Sequence, residues 1–226
     1  MSNTHASPFR VIVPMKSLDQ AKSRLWTNVP TLECQSVTIL MLDIVVRAAV
    51  AALGSTAVHV VGGDLLIQRL IAEAGATWSE DTGGGLNASV LAAMQSAYSE
   101  GCAAALFMPG DLPMLEPNDI VAIAIASKDN TQPVGVRADP DGGTNAMLVP
   151  ATCAFDPRLG EDSFAKHAEA ALQVGSTLLA LDLPRVAFDM DSFEDFVWAR
   201  ENIAGFGQKL YDWQAWLRDR SEPQSN

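Results

Sequence analysis

The 226 residues predict an α/β fold, a mostly parallel sheet with helices on both faces, and three features of the chain point there. Short apolar runs alternate with longer stretches of helical periodicity, which is the alternation that crossovers between parallel neighbours require. The first run, FRVIVP at Phe9 to Pro14, is apolar and β-branched, the pattern of a strand buried on both faces. A content of 48% hydrophobic and 19% charged residues supplies a sizeable core and excludes a disordered chain. At ~150 residues per domain this length suits one domain with an appendage. Residues 1–205 are the expected domain, and residues 206–226 a helical extension ending in a polar tail.

Phe9 to Pro14 is the first strand. Leu32 to Leu53 carries Val37, Leu40, Met41, Ile44 and Val45 at helical spacing, with Gly54 as its stop. Ala57 to Val61 reads as a strand, Leu65 to Ala74 as a helix ended by Gly75, and Thr77 to Ser79 as a short strand. Leu86 to Tyr98 is the next helix and Ala103 to Met108 the next strand. A helix from Asp119 to Ser127 precedes strands at Val134 to Arg137 and Ala146 to Val149. Ser163 to Val174 is helical in pattern, and Leu178 to Leu181 and Arg185 to Phe188 are strand-like. Ser192 and Asp195 form a capping-box signal for another helix. In the last segment, Gln208 to Arg220, the residues Leu210, Trp213, Trp216 and Leu217 share a helical face, which by default packs within the chain and otherwise on a second subunit.

Fifteen Lys and Arg against 27 Asp and Glu give a net charge of −12, which argues against nucleic-acid and anionic-membrane partners. Cys34, Cys102 and Cys153 are too scattered for a disulfide framework or a zinc site. Met1 to Arg10 has no export-signal order, and Asp43 and Arg47 interrupt the most apolar long stretch, so a cytoplasmic protein is expected.

Ligands of open parallel sheets bind beyond the carboxyl ends of strands, and four clusters follow predicted strands or lead into helices there. Pro14 to Leu25, PMKSLDQAKSRL, places Lys16, Lys22 and Arg24 just after the first strand, a local reserve of cations suited to phosphate oxygens in an otherwise acidic chain. No GxxxxGK[ST] or GxGxxG pattern is present. Gly83-Gly84-Gly85-Leu86-Asn87 opens a helix where backbone N–H groups can approach an anion or nucleobase, which marks Gly85 and Asn87. Asp111, in Met108-Pro109-Gly110-Asp111-Leu112-Pro113, is placed to ligate Mg²⁺, and Asp189 and Asp191 in FDMDS can complete the set. Gly142-Gly143-Thr144-Asn145 and Gly160 to His167 shape an acceptor site, with Ser163 and His167 on one helix face. Ser163 is equally suited to cap its helix. His59, inside an apolar strand, reads as a satisfied core histidine.

The stretches VPMKSLDQAKSRL, GLNAS, PGDLPML, GGTNAML, LGEDSFAKH and DMDSFED, in this order over residues 11 to about 196, resemble the guanylyltransferases of deazaflavin coenzyme (F-420) biosynthesis. The resemblance implies a three-layer α/β/α fold of the nucleotide-diphospho-sugar transferase kind, with a mostly parallel mixed sheet. It implies GTP as co-substrate, Mg²⁺ as cofactor, and as acceptor phosphoenolpyruvate, 2-phospho-L-lactate or 3-phospho-D-glycerate. The positions matching Thr144, Gly160 and Ser163 hold the acceptor in that family, and those matching Asp111, Asp189 and Asp191 hold magnesium. PMKSLDQAKSRL replaces the LAGGxSxRMG loop of molybdopterin and sugar nucleotidyltransferases, the nearest rivals, and Glu161 stands where many relatives have proline. Lys16, Lys22, Arg24 and Asp111 are the expected catalytic residues. A homodimer and hand-over of product to the next enzyme are compatible with this reading.

Overall fold

A computed structural model describes residues 9–20, 29–81, 83–139 and 141–221. Its elements run β1 (Phe9–Met15), α1 (Thr31–Leu53), β2 (Val58–Gly62), α2 (Leu65–Glu73), β3 (Thr77–Ser79), α3 (Leu86–Ser99), β4 (Ala104–Phe107), α4 (Pro117–Ala126), β5 (Val134–Arg137), β6 (Thr144–Pro150), α5 (Ser163–Gln173), β7 (Leu179–Ala180), α6 (Pro184–Ala187), α7 (Phe193–Asn202) and α8 (Phe206–Ser221). The seven strands form one sheet in the order β3-β2-β1-β4-β6-β5-β7. β3, β2, β1 and β4 are mutually parallel, whereas β6 runs antiparallel to both β4 and β5, and β7 is parallel to β5.

The two-residue period of β1 separates the layers. Val11 and Val13 face Leu42 and Val45 of α1, Ile67 of α2 and Ile120 of α4, and Ile12 faces Val90 and Met94 of α3 with Phe107 and Met147. By length and composition α1 would suffice to cross a membrane, but Val37, Leu40, Leu42, Val45 and Ala49 are fully or almost fully buried within the protein. A further cluster joins α1 to the chain's end, with Cys34, Val37 and Met41 against Met190, Phe196, Phe206 and Leu210. The face of α8 that the apolar spacing marks therefore packs within the chain.

Two local expectations change. Arg185 to Phe188 is not a strand: Pro184 has no N–H to give a ladder and opens the helical turn α6 instead. The strand expected from Ala146 starts at Thr144, because Thr144 is paired with Arg137 of β5 across a register shift beside Val136. Elsewhere the predicted elements are found to within a few residues. His59 is satisfied as expected, its Nδ1 2.9 Å from Thr77 Oγ1 and its Nε2 3.0 Å from Ser79 Oγ.

Candidate active site

The chain moves outward from β1 through β2 to β3, then crosses to the other side of β1 to form β4. A crevice is expected at such a switch point, beyond the carboxyl ends of the strands. A cleft of about 740 Å³ lies there, lined by Pro14, Met15 and Lys16 at the end of β1, Phe107 and Pro109 to Asp111 at and beyond the end of β4, Gly85, Leu86 and Ser89 at the start of α3, and Asp191. A second depression of about 560 Å³, between α1, α4 and α8, is lined by none of the candidate catalytic, binding or metal-ligating residues.

Each wall has an internal support. The loop after β1 is tied to the end of β2 by Asp64, whose Oδ2 accepts from Leu18 N–H at 2.8 Å. The other oxygen of Asp64 caps α2, accepting from Leu66 and Ile67 N–H at 2.9 and 3.1 Å. Lys16 is exposed at the mouth, and Lys22 and Arg24 lie outside the described residues. Where β1 and β2 end, Gly62 has a φ of +87°, and a Cβ there would collide with the Met15 carbonyl oxygen.

Gly83, Gly84 and Gly85 have φ of +86°, +90° and +86°, three consecutive backbones that L side chains rarely adopt. Asp81 Oδ1 organises this entrance, accepting from Gly83 N–H at 3.0 Å and from Ser89 Oγ at 2.5 Å. The first-turn N–H groups of a helix entered this way are open to an anion. Asn87, expected at the nucleotide, bonds Leu159 with its amide: Oδ1 accepts from Leu159 N–H at 2.6 Å, and Nδ2 donates to Leu159 O at 3.2 Å.

The carboxylates converge from two loops. Met190 N–H donates to the Asp111 carbonyl at 3.1 Å and splices the 189–191 segment to the loop after β4. That segment is held on its other side by Arg185, whose Nε and Nη2 reach Asp119 Oδ2 and Oδ1 at 2.9 and 2.7 Å, and by Asn145 Nδ2, which donates to Ala187 O at 3.1 Å. The Asp189 carboxyl is pushed up to about 7, first by burial and then by the charges of Asp191 and Asp111, with Asn145 offsetting part of the effect. Asp111, Asp189 and Asp191 thus share one field. Among the described residues no three His, Cys, Asp or Glu side chains form a metal cage.

The residues expected at the acceptor, Thr144, Gly160, Ser163 and His167, line no part of this cleft and lie together in a separate cluster. β6 runs opposite to β4, so its amino end, Thr144 and Asn145, comes to the edge where β4 delivers Asp111. Thr144 Oγ1 lies 2.9 Å from Ser163 Oγ and 3.0 Å from His167 Nδ1, and His167 Nε2 accepts from Arg158 N–H at 2.8 Å. Burial, followed by the charges of Arg158 and Lys166, lowers His167 to about 4. Asp162, at φ +54°, holds the cap position of α5, so Ser163 is the first helical residue and its hydroxyl turns to Thr144. Gly160 is exposed beside it and accepts from Ser163 N–H at 3.0 Å. Asp64, Asp81 and Asn145 were not anticipated from the sequence as supports. Asp64 and Asp81 each stand beside a glycine run that leads into a helix, and that position was the available signal.

Comparison with known proteins identifies the family and the fold. A family model described as guanylyl transferase CofC like matches residues 9–219, which includes α8 and so extends beyond the stretch that carries the resemblance. A phosphoenolpyruvate guanylyltransferase from Rubrobacter xylanophilus is 36% identical over 184 residues, 81% of this chain and 89% of the relative. A 3-phospho-D-glycerate guanylyltransferase from Phenylobacterium zucineum is 32% identical over 181 residues, 78% of this chain and 83% of the relative. Among solved structures, a candidate nucleotide-diphospho-sugar transferase from Desulfovibrio desulfuricans G20 superposes with a TM-score of 0.73 at 20% identity, covering 95% of each chain, which establishes the fold. The protein is thus a nucleotidyltransferase enzyme, and its chain belongs to the CofC-like guanylyl transferase family.

Proposed function

We propose that the enzyme transfers GMP from GTP to a phosphorylated three-carbon acid, phosphoenolpyruvate first among the candidates, and releases pyrophosphate, in the assembly of coenzyme F-420. The observation that carries this reading is the meeting, in one cleft, of Lys16 and the glycine-lined start of α3 with Asp111 and Asp191. One side offers a cation and backbone donors to a polyphosphate, and the other offers hard oxygen donors. The names of relatives at 36% and 32% identity support phosphoenolpyruvate and 3-phospho-D-glycerate as acceptors, and 2-phospho-L-lactate has the same phosphate-and-carboxylate pattern.

The donor set fits a magnesium ion. Mg²⁺ is usually bound by one or two carboxylates together with substrate phosphate oxygens, so an open group suits it better than a closed cage. Asp189 is raised first by burial and then by the charges of Asp191 and Asp111, and a cation there would relieve that repulsion. Asp111, Asp189 and Asp191 would hold Mg²⁺, which when bound supplies polarisation of the nucleotide's phosphate oxygens.

An acceptor phosphate oxygen attacks the α-phosphorus of GTP, a new P–O bond forms, the bond to the bridging α–β oxygen breaks, and pyrophosphate leaves with that electron pair. A phosphate monoester has its second pKa near ~6 and is largely dianionic at neutral pH, so no protein base is needed. Lys16 offsets charge on the triphosphate, the α3 entrance holds a phosphate by its N–H groups, and the Thr144 cluster sets the acceptor's direction of approach. Incubation with GTP, Mg²⁺ and each of the three acids, followed by mass spectrometry and pyrophosphate assay, tests the proposal. A guanosine diphospho-acid formed together with pyrophosphate is the expected result.

A further inference from the structure

Three buried polar side chains, Thr144, Ser163 and His167, meet where β6 begins and α5 starts, and their chemistry fixes the hydrogen-bond directions. Nε2 of His167 receives the Arg158 N–H at 2.8 Å, and a ring nitrogen that accepts carries no proton. The hydrogen of the neutral ring is therefore on Nδ1, where it donates to Thr144 Oγ1 at 3.0 Å. Ser163 Oγ, 2.9 Å from the same atom, belongs to a fully buried residue. A buried hydroxyl hydrogen without an acceptor is costly, and donation to Thr144 Oγ1 satisfies it. Thr144 Oγ1 then receives two hydrogen bonds, and its own hydrogen remains available. Thr144 keeps 7% exposure while Ser163 and His167 have none, so the available hydrogen belongs to the one residue of the three that solvent reaches.

We infer that His167 is a positioning residue: through its Nδ1–H bond, and with Ser163, it fixes the Thr144 hydroxyl as an outward donor to an anionic oxygen of the acceptor. The inference rests on the guanylyl transfer proposed above and deepens it by dividing the acceptor residues into one that touches the acid and two that direct it. A chain of hydrogen bonds running one way polarises its last donor, which strengthens the final bond to an anion. A ring held neutral keeps this polarity throughout the pH range of a cytosol, and the lowered His167 agrees with that requirement. The ring also grips the loop ahead of Gly160 through Arg158, so a purely structural role is the competing explanation.

His167→Asn and His167→Gln separate the two roles. The Asn amide N–H falls near the place of Nδ1 and keeps the donor to Thr144, while the longer Gln amide falls near Nε2 and keeps the grip on Arg158. Steady-state kinetics with GTP and phosphoenolpyruvate, calorimetric binding of phosphoenolpyruvate and thermal melting are measured for both, for Thr144→Val and for His167→Gln/Thr144→Val. Thr144→Val should raise the phosphoenolpyruvate KM about 10- to 100-fold and leave the GTP KM within about twofold. His167→Gln should raise the phosphoenolpyruvate KM about tenfold, with His167→Asn within about threefold of wild type. The double variant should be no worse than Thr144→Val alone, because His167 acts through Thr144. Rescue by Gln and not by Asn, or fully additive losses in the double variant, would overturn the positioning role. Phosphoenolpyruvate binding that depends on Thr144 and His167, without guanylyl product from phosphoenolpyruvate, 2-phospho-L-lactate or 3-phospho-D-glycerate, would sustain the positioning role and sink the proposed reaction. Binding and KM indifferent to Thr144→Val would overturn the acceptor site and the inference together.

Discussion

Asn87, in the first turn of α3, holds the backbone of Leu159 with both ends of its amide, accepting from the N–H at 2.6 Å and donating to the carbonyl at 3.2 Å. The two residues are 72 positions apart in the chain. The pair fastens the glycine-lined start of α3 to the loop that leads to Gly160 and Ser163. Asn87→Ala removes both bonds at an exposed site and should cost about 1–2 kcal/mol of stability. Its kinetic signature should be a rise in acceptor KM, because the freed loop carries residues proposed to hold the acceptor. A rise in GTP KM alone would return Asn87 to direct nucleotide contact.

Lys16 is the cation among the described residues that line the cleft. Lys16→Ala should raise the GTP KM by about one to two orders of magnitude, the worth of one hydrogen bond between charged groups. The fold should be unaffected, since the side chain is exposed. Unchanged GTP affinity by calorimetry would make this lysine an ordinary surface residue.

Asp111→Asn preserves shape, removes a hard anionic donor of the proposed metal site and relieves Asp189 of a neighbouring charge. Turnover should fall on the order of 100-fold or more, corresponding to several kcal/mol of lost charge stabilisation in the transition state. Metal-free stability should hold or rise. Full activity at limiting Mg²⁺ would remove Asp111 from the metal site.

The native His167 sits at about 4, below its ordinary value of 6.5. Between these values the unfolded chain binds a proton that the folded chain does not, so this group's contribution to stability is complete above pH 6.5 and declines as pH falls toward 4. The largest slope from one proton is about 1.4 kcal/mol per pH unit. Wild type should therefore lose melting temperature more steeply than His167→Asn between pH 6.5 and 4.5. Parallel melting curves across that range would refute the buried neutral ring.

The sheet, its helices and the two carboxylate loops were legible in the sequence because each depends on local patterns: an apolar run for β1, periodicity for α1, and a strand end before Asp111. The placement of Thr144 was less legible. Reading strand ends as the place for chemistry assumes parallel strands, and Thr144 reaches the site at the beginning of β6, a strand whose reversal depends on pairing with β4 and β5. Arg185 looked strand-like because its neighbours are apolar, yet Pro184 begins a turn and the guanidinium is drawn to Asp119 of α4. Asn87 pairs with Leu159 across 72 residues, a distance over which spacing carries no information. The His167 to Thr144 contact likewise joins elements that only the folded sheet brings together.

The most direct test of guanylyl transfer is the stoichiometry of products from purified enzyme with GTP, Mg²⁺ and phosphoenolpyruvate, 2-phospho-L-lactate or 3-phospho-D-glycerate supplied singly. The account predicts that at least one acid yields a guanosine diphospho-acid by mass spectrometry, with one pyrophosphate released per adduct and neither formed when the acid is omitted. GTP left intact with all three acids, or cleaved to GDP and phosphate with no adduct, would contradict it.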